Sequence, residues 1–346
     1  MIDVVCVGES MALVTPDPPA PLSLGGPMRL EVAGAESTVA CYLAQLGLRT
    51  AWVSRVGADP LGDLLLTTIG RWGVDTSAVV ADPGAPTGVF FKDPACPAEP
   101  EEPSQSAGPE RPGVAPNELG RSNELGRSDG RRQALGGRPV VATRVYYYRA
   151  GSAASRLGPR THVPRAALTH LSGITPALSA SCAALVDRLL SGRRCSFDVN
   201  YRPGLWPVDR AAPVLRELAQ RAEIVFVGLD EAQTLWGVSS AADVRALLRG
   251  PSTLVVKDGA VGATSFSPAG VAFVPTPPVD VVEPVGAGDA FAAGYLSGLL
   301  RGLPETGRLT LGHRVAAAAL SVTGDVAVLG PAAPSADRIS WKGDTP

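Results

Sequence analysis

The chemistry most open to reading lies in Glu283-Pro284-Val285-Gly286-Ala287-Gly288-Asp289, just ahead of an apolar run from Ala290 to Leu300. Two glycines one residue apart let the backbone turn tightly and expose successive N–H groups. The run behind them has the spacing of a buried helix. Unpaired N–H groups at a helix start, with the positive end of its dipole, hold a phosphate or a developing anion. Asp289 beside them is placed to take a proton from a substrate hydroxyl. These parts suit phosphoryl transfer, where positioning and charge stabilisation do most of the catalysis. The same letters also read as a plain helix start, with Asp as N-cap after a Gly-rich turn. A dinucleotide fingerprint fails, because Phe291 stands at its third glycine position.

The elements that must position this stretch read as an alternating α/β pattern. Buried-strand runs are expected at Val4–Val7, Ala51–Gly57, Leu168–Ile174, Cys195–Val199, Glu223–Val227 and Thr253–Lys257. Helices are expected from Gly34 to Leu46, from Asp59 to about Gly73, and around 179–190, 210–219, 241–248 and 308–322. Such alternation implies a parallel sheet covered on both faces, with ligands at the carboxyl ends of its strands. Segments around 12–14 and 28–32 read as edge or exposed strands, because prolines and glycines surround them. Further β-rich runs are Thr87–Lys92 and Val140–Arg149. Between them, residues 93–139 are rich in Pro, Gly, Ser, Glu and Arg and contain a tandem Asn-Glu-Leu-Gly-Arg-Ser. Such a segment cannot offset its ordering entropy by burial and is expected to be disordered.

Composition narrows the classes. At 346 residues and 45% hydrophobic, the chain can bury a large core. A net charge of −2 gives no electrostatic case for nucleic acid or an anionic membrane. The five cysteines show no paired spacing and read as reduced, with no metal site implied. No signal peptide or membrane-length apolar run is seen, so a cytoplasmic protein is expected. A Walker-type Gly-Lys-Ser/Thr loop is absent.

Gly286-Ala287-Gly288-Asp289-Ala290-Phe291-Ala292-Ala293-Gly294 resembles the C-terminal signature of the ribokinase-like (PfkB) sugar kinases. In that family the Asp is the catalytic base and the Gly-Ala-Gly amides form the anion hole, which points to Asp289, Gly286, Ala287 and Gly288. Gly34 to Ala40, followed by Gly57, Asp59 and Gly62, resembles the N-terminal signature, with Gly34 and Thr38 toward the sugar. Thr38 replaces the usual Asn. Tyr147-Tyr148-Arg149-Ala150-Gly151-Ser152 and Asp198-Val199-Asn200-Tyr201-Arg202 resemble one branch, the 2-keto-3-deoxygluconate kinases. There the matching residues, Tyr147, Arg149 and Arg202 here, hold the sugar acid. A planar guanidinium pairs bidentately with a carboxylate, which a neutral sugar lacks. Leu13 stands where ribose-type members carry an Asp.

For the nucleotide, Lys257, Gly259 and Gly262 resemble the family's strand and turn beside ATP. Glu231, in Gly228-Leu229-Asp230-Glu231, matches an acid that acts on Mg²⁺ through water, with Gly228 in place of an Asn. His313 replaces an Asn near the adenine and is given no role. The resemblance implies a three-layer α/β/α ribokinase-like fold over 1–330, with a mainly parallel central sheet. It adds a small β lid from segments 11–33 and 87–149, and a tail at 331–346. The implied activity is ATP- and Mg²⁺-dependent phosphorylation of a small sugar, foremost 2-keto-3-deoxygluconate at its terminal hydroxyl. A kinase for fructose or a related hexose stays open, as does a non-catalytic sugar- or nucleotide-binding regulator. A homo-oligomer formed through the lid is allowed for.

Overall fold

Val4 and Cys6 belong to one apolar core and Val5 and Val7 to another, and all four are fully buried. That alternation is the two-residue period of a strand lying between two layers. The structure is a computed structural model and describes residues 2–18, 20–96, 142–324 and 326–330. Most of the segment expected to be disordered, from residue 97 onward, lies outside the described residues, as does the tail 331–346.

The first third holds β1 (Ile2–Val7), β2 (Met11–Pro16), β3 (Met28–Ala33), α1 (Ala35–Gln45), β4 (Thr50–Val53), β5 (Arg55–Gly57), α2 (Pro60–Arg71) and β6 (Val80–Asp82). Next come β7 (Val89–Cys96), β8 (Ala142–Tyr148), β9 (Ala166–Ser172), α3 (Ile174–Leu178), α4 (Ala180–Gly192), β10 (Cys195–Asp198) and α5 (Val208–Arg221). The last third holds β11 (Ile224–Gly228), α6 (Leu229–Trp236), α7 (Ala241–Leu247), β12 (Thr253–Asp258), β13 (Gly262–Ser267), β14 (Gly270–Pro275), α8 (Ala287–Leu300) and α9 (Glu305–Leu320).

Among the described residues the main sheet has the order β14-β13-β12-β11-β10-β9-β1-β4. From β12 to β4 every pair is parallel, while β13 and β14 fold back antiparallel at one edge. Helices α1, α2, α8 and α9 close the core that contains Val4, Trp52 and Phe226. Helices α4, α5, α6 and α7 close the opposite core around Val5, Phe197 and Val225. Three layers result. A second sheet, β3-β2-β7-β8, has its own small buried cluster of Met11, Leu13, Ala33 and Phe90.

Several expectations need correction. The run 51–57 is two strands, because the chain changes partners at Ser54: β4 pairs with β1, and β5 with β6. The strand at 12–14 is interior to the smaller sheet, where β3 and β7 flank it and Ala12 and Leu13 are fully buried. The prolines misled there because they fall at and beyond its end. Asp93 belongs to β7, which continues to Cys96, because it pairs with Arg144 of β8 and its carboxylate accepts the Leu22 N–H at 3.0 Å. Residues 93–96 therefore leave the segment expected to be disordered. Strands β13 and β14 were not anticipated.

Candidate active site

The parallel strands end on one edge, and the chemistry gathers there. Helix α8 starts after Gly286, whose φ of 83° lies where a Cβ is disfavoured, and this swings the chain into the helix. Gly286 is the N-cap and Asp289 the third helical residue, so Asp289 is not the cap of this helix. Gly286, Ala287 and Gly288 make up its first turn, where N–H groups have no intrahelical acceptor. Asn200, just past β10, donates from Nδ2 to Asp289 Oδ1 at 3.0 Å. Burial pushes the Asp289 carboxyl up to about 7, with the like charge of Asp198 adding to it and Arg202 and Lys257 pulling the other way.

Lys257, near the end of β12 and expected at the nucleotide, sits within this cluster. Its Nζ donates to Asp198 Oδ2 at 2.8 Å, and a Cβ on Gly288 would lie 3.3 Å from that Nζ. A side chain on Gly288 would press the ammonium back by a few tenths of an ångström. Burial opposes the Lys257 charge, but Asp198, Glu231 and Asp289 hold its pKa above the ordinary value. Glu231, in the first turn of α6, accepts the Gly228 N–H at 2.8 Å and lies 3.7 Å from Arg202 Nη1. Burial, then Asp198, pushes its carboxyl up. Gly259 and Gly262 shape the β12–β13 turn, with φ of 45° and 157°. Thr276 Oγ1 donates to the Gly259 carbonyl at 2.7 Å.

The other expected sugar residues divide into two groups. Arg149 follows β8 and is tied to the buried Glu9, with Nε donating to Oε2 at 2.7 Å and Nη2 to the same oxygen. Ser152 Oγ donates to the other oxygen of Glu9 at 2.6 Å. The Arg149 guanidinium also lies 5.5 Å from the Tyr147 ring, which stacks on Phe90 at 5.4 Å. Gly34, the N-cap of α1, packs so tightly that a Cβ would lie 2.5 Å from the Glu9 carbonyl oxygen. Thr38 is buried on a cavity of 230 Å³ lined by Glu31, Trp72 and Gly324, none of which belongs to the Asp289 cluster.

Glu9 was not singled out from sequence, and Glu36, Asp198 and Asn200 stood inside the motifs without a role assigned to each. Glu36 is fully buried, accepts from Ser172 Oγ at 2.7 Å and Thr175 Oγ1 at 2.9 Å, and is pushed up by burial. A signal existed: acids placed where strands run out, in otherwise apolar surroundings. His313 is a packing residue, meeting the Phe291 ring edge-on at 5.1 Å with Nε2 3.0 Å from the Val274 carbonyl oxygen. Among the described residues no cluster of three or more His, Cys, Asp or Glu is arranged for a metal, and no helix is long and apolar enough to cross a membrane.

Comparison with known proteins agrees with this geometry. The model of the pfkB family carbohydrate kinases matches residues 1–93 and 138–329. A 2-dehydro-3-deoxygluconokinase of Bacillus subtilis (strain 168) is 32% identical over 94% of this chain and 91% of its own. One from Thermoproteus tenax is 31% identical over 94% and 90%. The crystal structure of a PfkB protein from Polaromonas sp. JS666, 32% identical, superposes with a TM-score of 0.73 over 92% of this chain and 96% of that one. A Gly-Ala-Gly-Asp turn on the carboxyl edge of a covered parallel sheet thus sits inside a match running through both halves of the molecule: the chain belongs to the pfkB family and is a carbohydrate kinase.

Proposed function

We propose that the chain phosphorylates 2-keto-3-deoxygluconate (2-dehydro-3-deoxygluconate) at its terminal hydroxyl, with ATP as donor. The observation that carries this reading is the placing of Asp289 at the start of α8, its carboxyl pushed up to about 7, beside the Lys257 ammonium. A base of that strength near neutral pH takes the proton of the attacking hydroxyl as its oxygen bonds to the γ-phosphorus. The bond from γ-phosphorus to the β–γ bridging oxygen breaks, and ADP leaves. Charge on the transferring group is met by the amides of Gly286, Ala287 and Gly288 and by Lys257, all set before the reaction.

ATP would lie along Lys257, Gly259 and Gly262. Mg²⁺ is a hard cation that keeps several waters and rides on phosphates. Glu231 is the carboxylate we assign to such an ion, acting through water: one oxygen accepts the Gly228 N–H and the other lies 3.7 Å from Arg202. When bound, the ion would offset phosphate charge. We read the substrate as a small sugar acid met by Gly34, Tyr147, Arg149 and Arg202, with Thr38 set apart on its own cavity, and the setting as the cytoplasm. In Arg149 the edge turned from Glu9 is the one we assign to the substrate carboxylate.

A second reading has its own support. Glu9 already cancels the charge of Arg149, and this favours a neutral sugar such as fructose. Steady-state ADP release with both sugars, in wild type and Arg202→Leu, separates the two. The keto acid should be the better substrate, and Arg202→Leu should cost about 2–5 kcal/mol in its kcat/KM while sparing fructose. Faster turnover of fructose by wild type, with Arg202→Leu harmless, assigns the site to the neutral sugar.

A further inference from the structure

Among the described residues, Asn200 is the single non-glycine with a left-handed backbone, at φ 41°. The residue is 4% exposed. Asparagine tolerates this conformation better than most residues, and such backbones persist where the surroundings hold them. Here the Val199 N–H donates to the Phe226 carbonyl at 2.9 Å, and Gly173 N–H to that of Asp198 at 2.9 Å, fixing the chain on both sides. An Asn kept only for its turn bonds its own neighbourhood. The Asn200 amide instead crosses 89 residues to Asp289, and its buried carbonyl oxygen has no protein partner among the described residues.

We infer that Asn200 is a positioning residue for phosphoryl transfer, whose amide holds Oδ1 of Asp289 and so turns Oδ2 toward the hydroxyl to be deprotonated. This rests on the reading of Asp289 as the base. A carboxylate with one oxygen held by a donor has one orientation, and misplacement by about 1 Å costs on the order of 10²-fold in rate. The amide also stabilises the ionised form of Asp289. The charged groups that act on the same carboxylate are Asp198, Arg202, Lys257 and Glu36.

Asn200→Gly keeps the backbone conformation and removes the donor. It should lower kcat by about 10–100-fold, leave KM for ATP little changed, and move the acid limb of the kcat/KM profile to higher pH. Asn200→Asp keeps size and backbone but brings a like charge, so its acid limb should move up further. In an Asp289→Asn background Asn200→Gly should add little, because both substitutions remove one function. Losses that multiply, or wild-type kcat and pH profile in Asn200→Gly, would overturn the proposal. If Asn200→Gly does not fold, an unmoved acid limb in Asn200→Asp overturns it equally. Full activity in Asp289→Asn alone is a different failure: it removes the base assignment, and this proposal with it.

Discussion

Two regions bring charged side chains into buried surroundings, by different means. Along the main sheet's edge, Asp198, Lys257, Glu231, Arg202 and Asp289 compensate one another over a floor with large cores on both faces. The smaller sheet rests on a cluster of four buried apolar residues, and its buried charges are held by the Arg149–Glu9 pair and by Lys92 with Glu283. Leu30, Tyr147 and Tyr148 of that sheet are exposed. The regions meet where Lys92 of β7 lies 3.6 Å from Glu283, ahead of the Gly286 turn. A deep core fixes distances, whereas a thin sheet with few buried apolar residues opens locally at lower cost.

The sharpest way to break this contrast is to damage each region's support. Phe226 is fully buried in the main core and meets Tyr295 edge-on at 5.4 Å. Phe226→Ala should cost about 3–5 kcal/mol in urea unfolding, and should lower kcat and stability together. Arg149→Leu tests the smaller sheet. Leaving Glu9 buried and unpaired costs about 3–5 kcal/mol at the upper end, but part of that cost falls on local opening of this sheet. A smaller global loss than Phe226→Ala, with KM for sugar raised more than kcat is lowered, would sharpen the comparison. A joint Glu9→Leu, Arg149→Leu variant should recover stability over Arg149→Leu without recovering KM. Equal global losses and unchanged KM would break it.

A subtler effect comes from the floor's own strain. The folded Asp289 carboxyl titrates at about 7 against an ordinary 3.8. Between those values the native carboxyl holds a proton that the unfolded one has released, so the stability contributed by Asp289 falls as pH rises from about 4 to 7 and then levels. Asp289→Asn lacks that term. Its advantage in Tm over ligand-free wild type should therefore grow from pH 4.5 to pH 7.5, read by calorimetry at constant ionic strength. A difference in Tm that does not change with pH would mean the carboxyl is not strained.

The floor was the more legible of the two regions. Runs such as Val4–Val7 and Ile224–Val227 are apolar at every position because both faces are covered, and that survives in the letters. The Gly286–Asp289 turn is local and could be read locally. The link from Asn200 to Asp289 spans 89 residues and that from Arg149 to Glu9 spans 140, so no periodicity reports them. Strand β13 escaped because Gly, Ser and Thr fill much of it, and β14 because it is a short run between Gly270 and Pro275 that is largely exposed. Leu13 looked peripheral among prolines, yet tertiary pairing with β7 buries it completely.

The central claim is that Asp289 removes the proton from the sugar hydroxyl at the start of α8. Asp289→Asn keeps the size of the side chain, and helix capping belongs to Gly286, so folding should survive. The direct measurement is kcat for 2-keto-3-deoxygluconate by ADP release in this variant, with ATP and sugar binding followed by titration calorimetry. The account predicts a fall of about 10²–10⁴-fold in kcat with both ligands still bound. Turnover at the wild-type rate would contradict it and leave Asp289 as no more than an acid in the first turn of a helix.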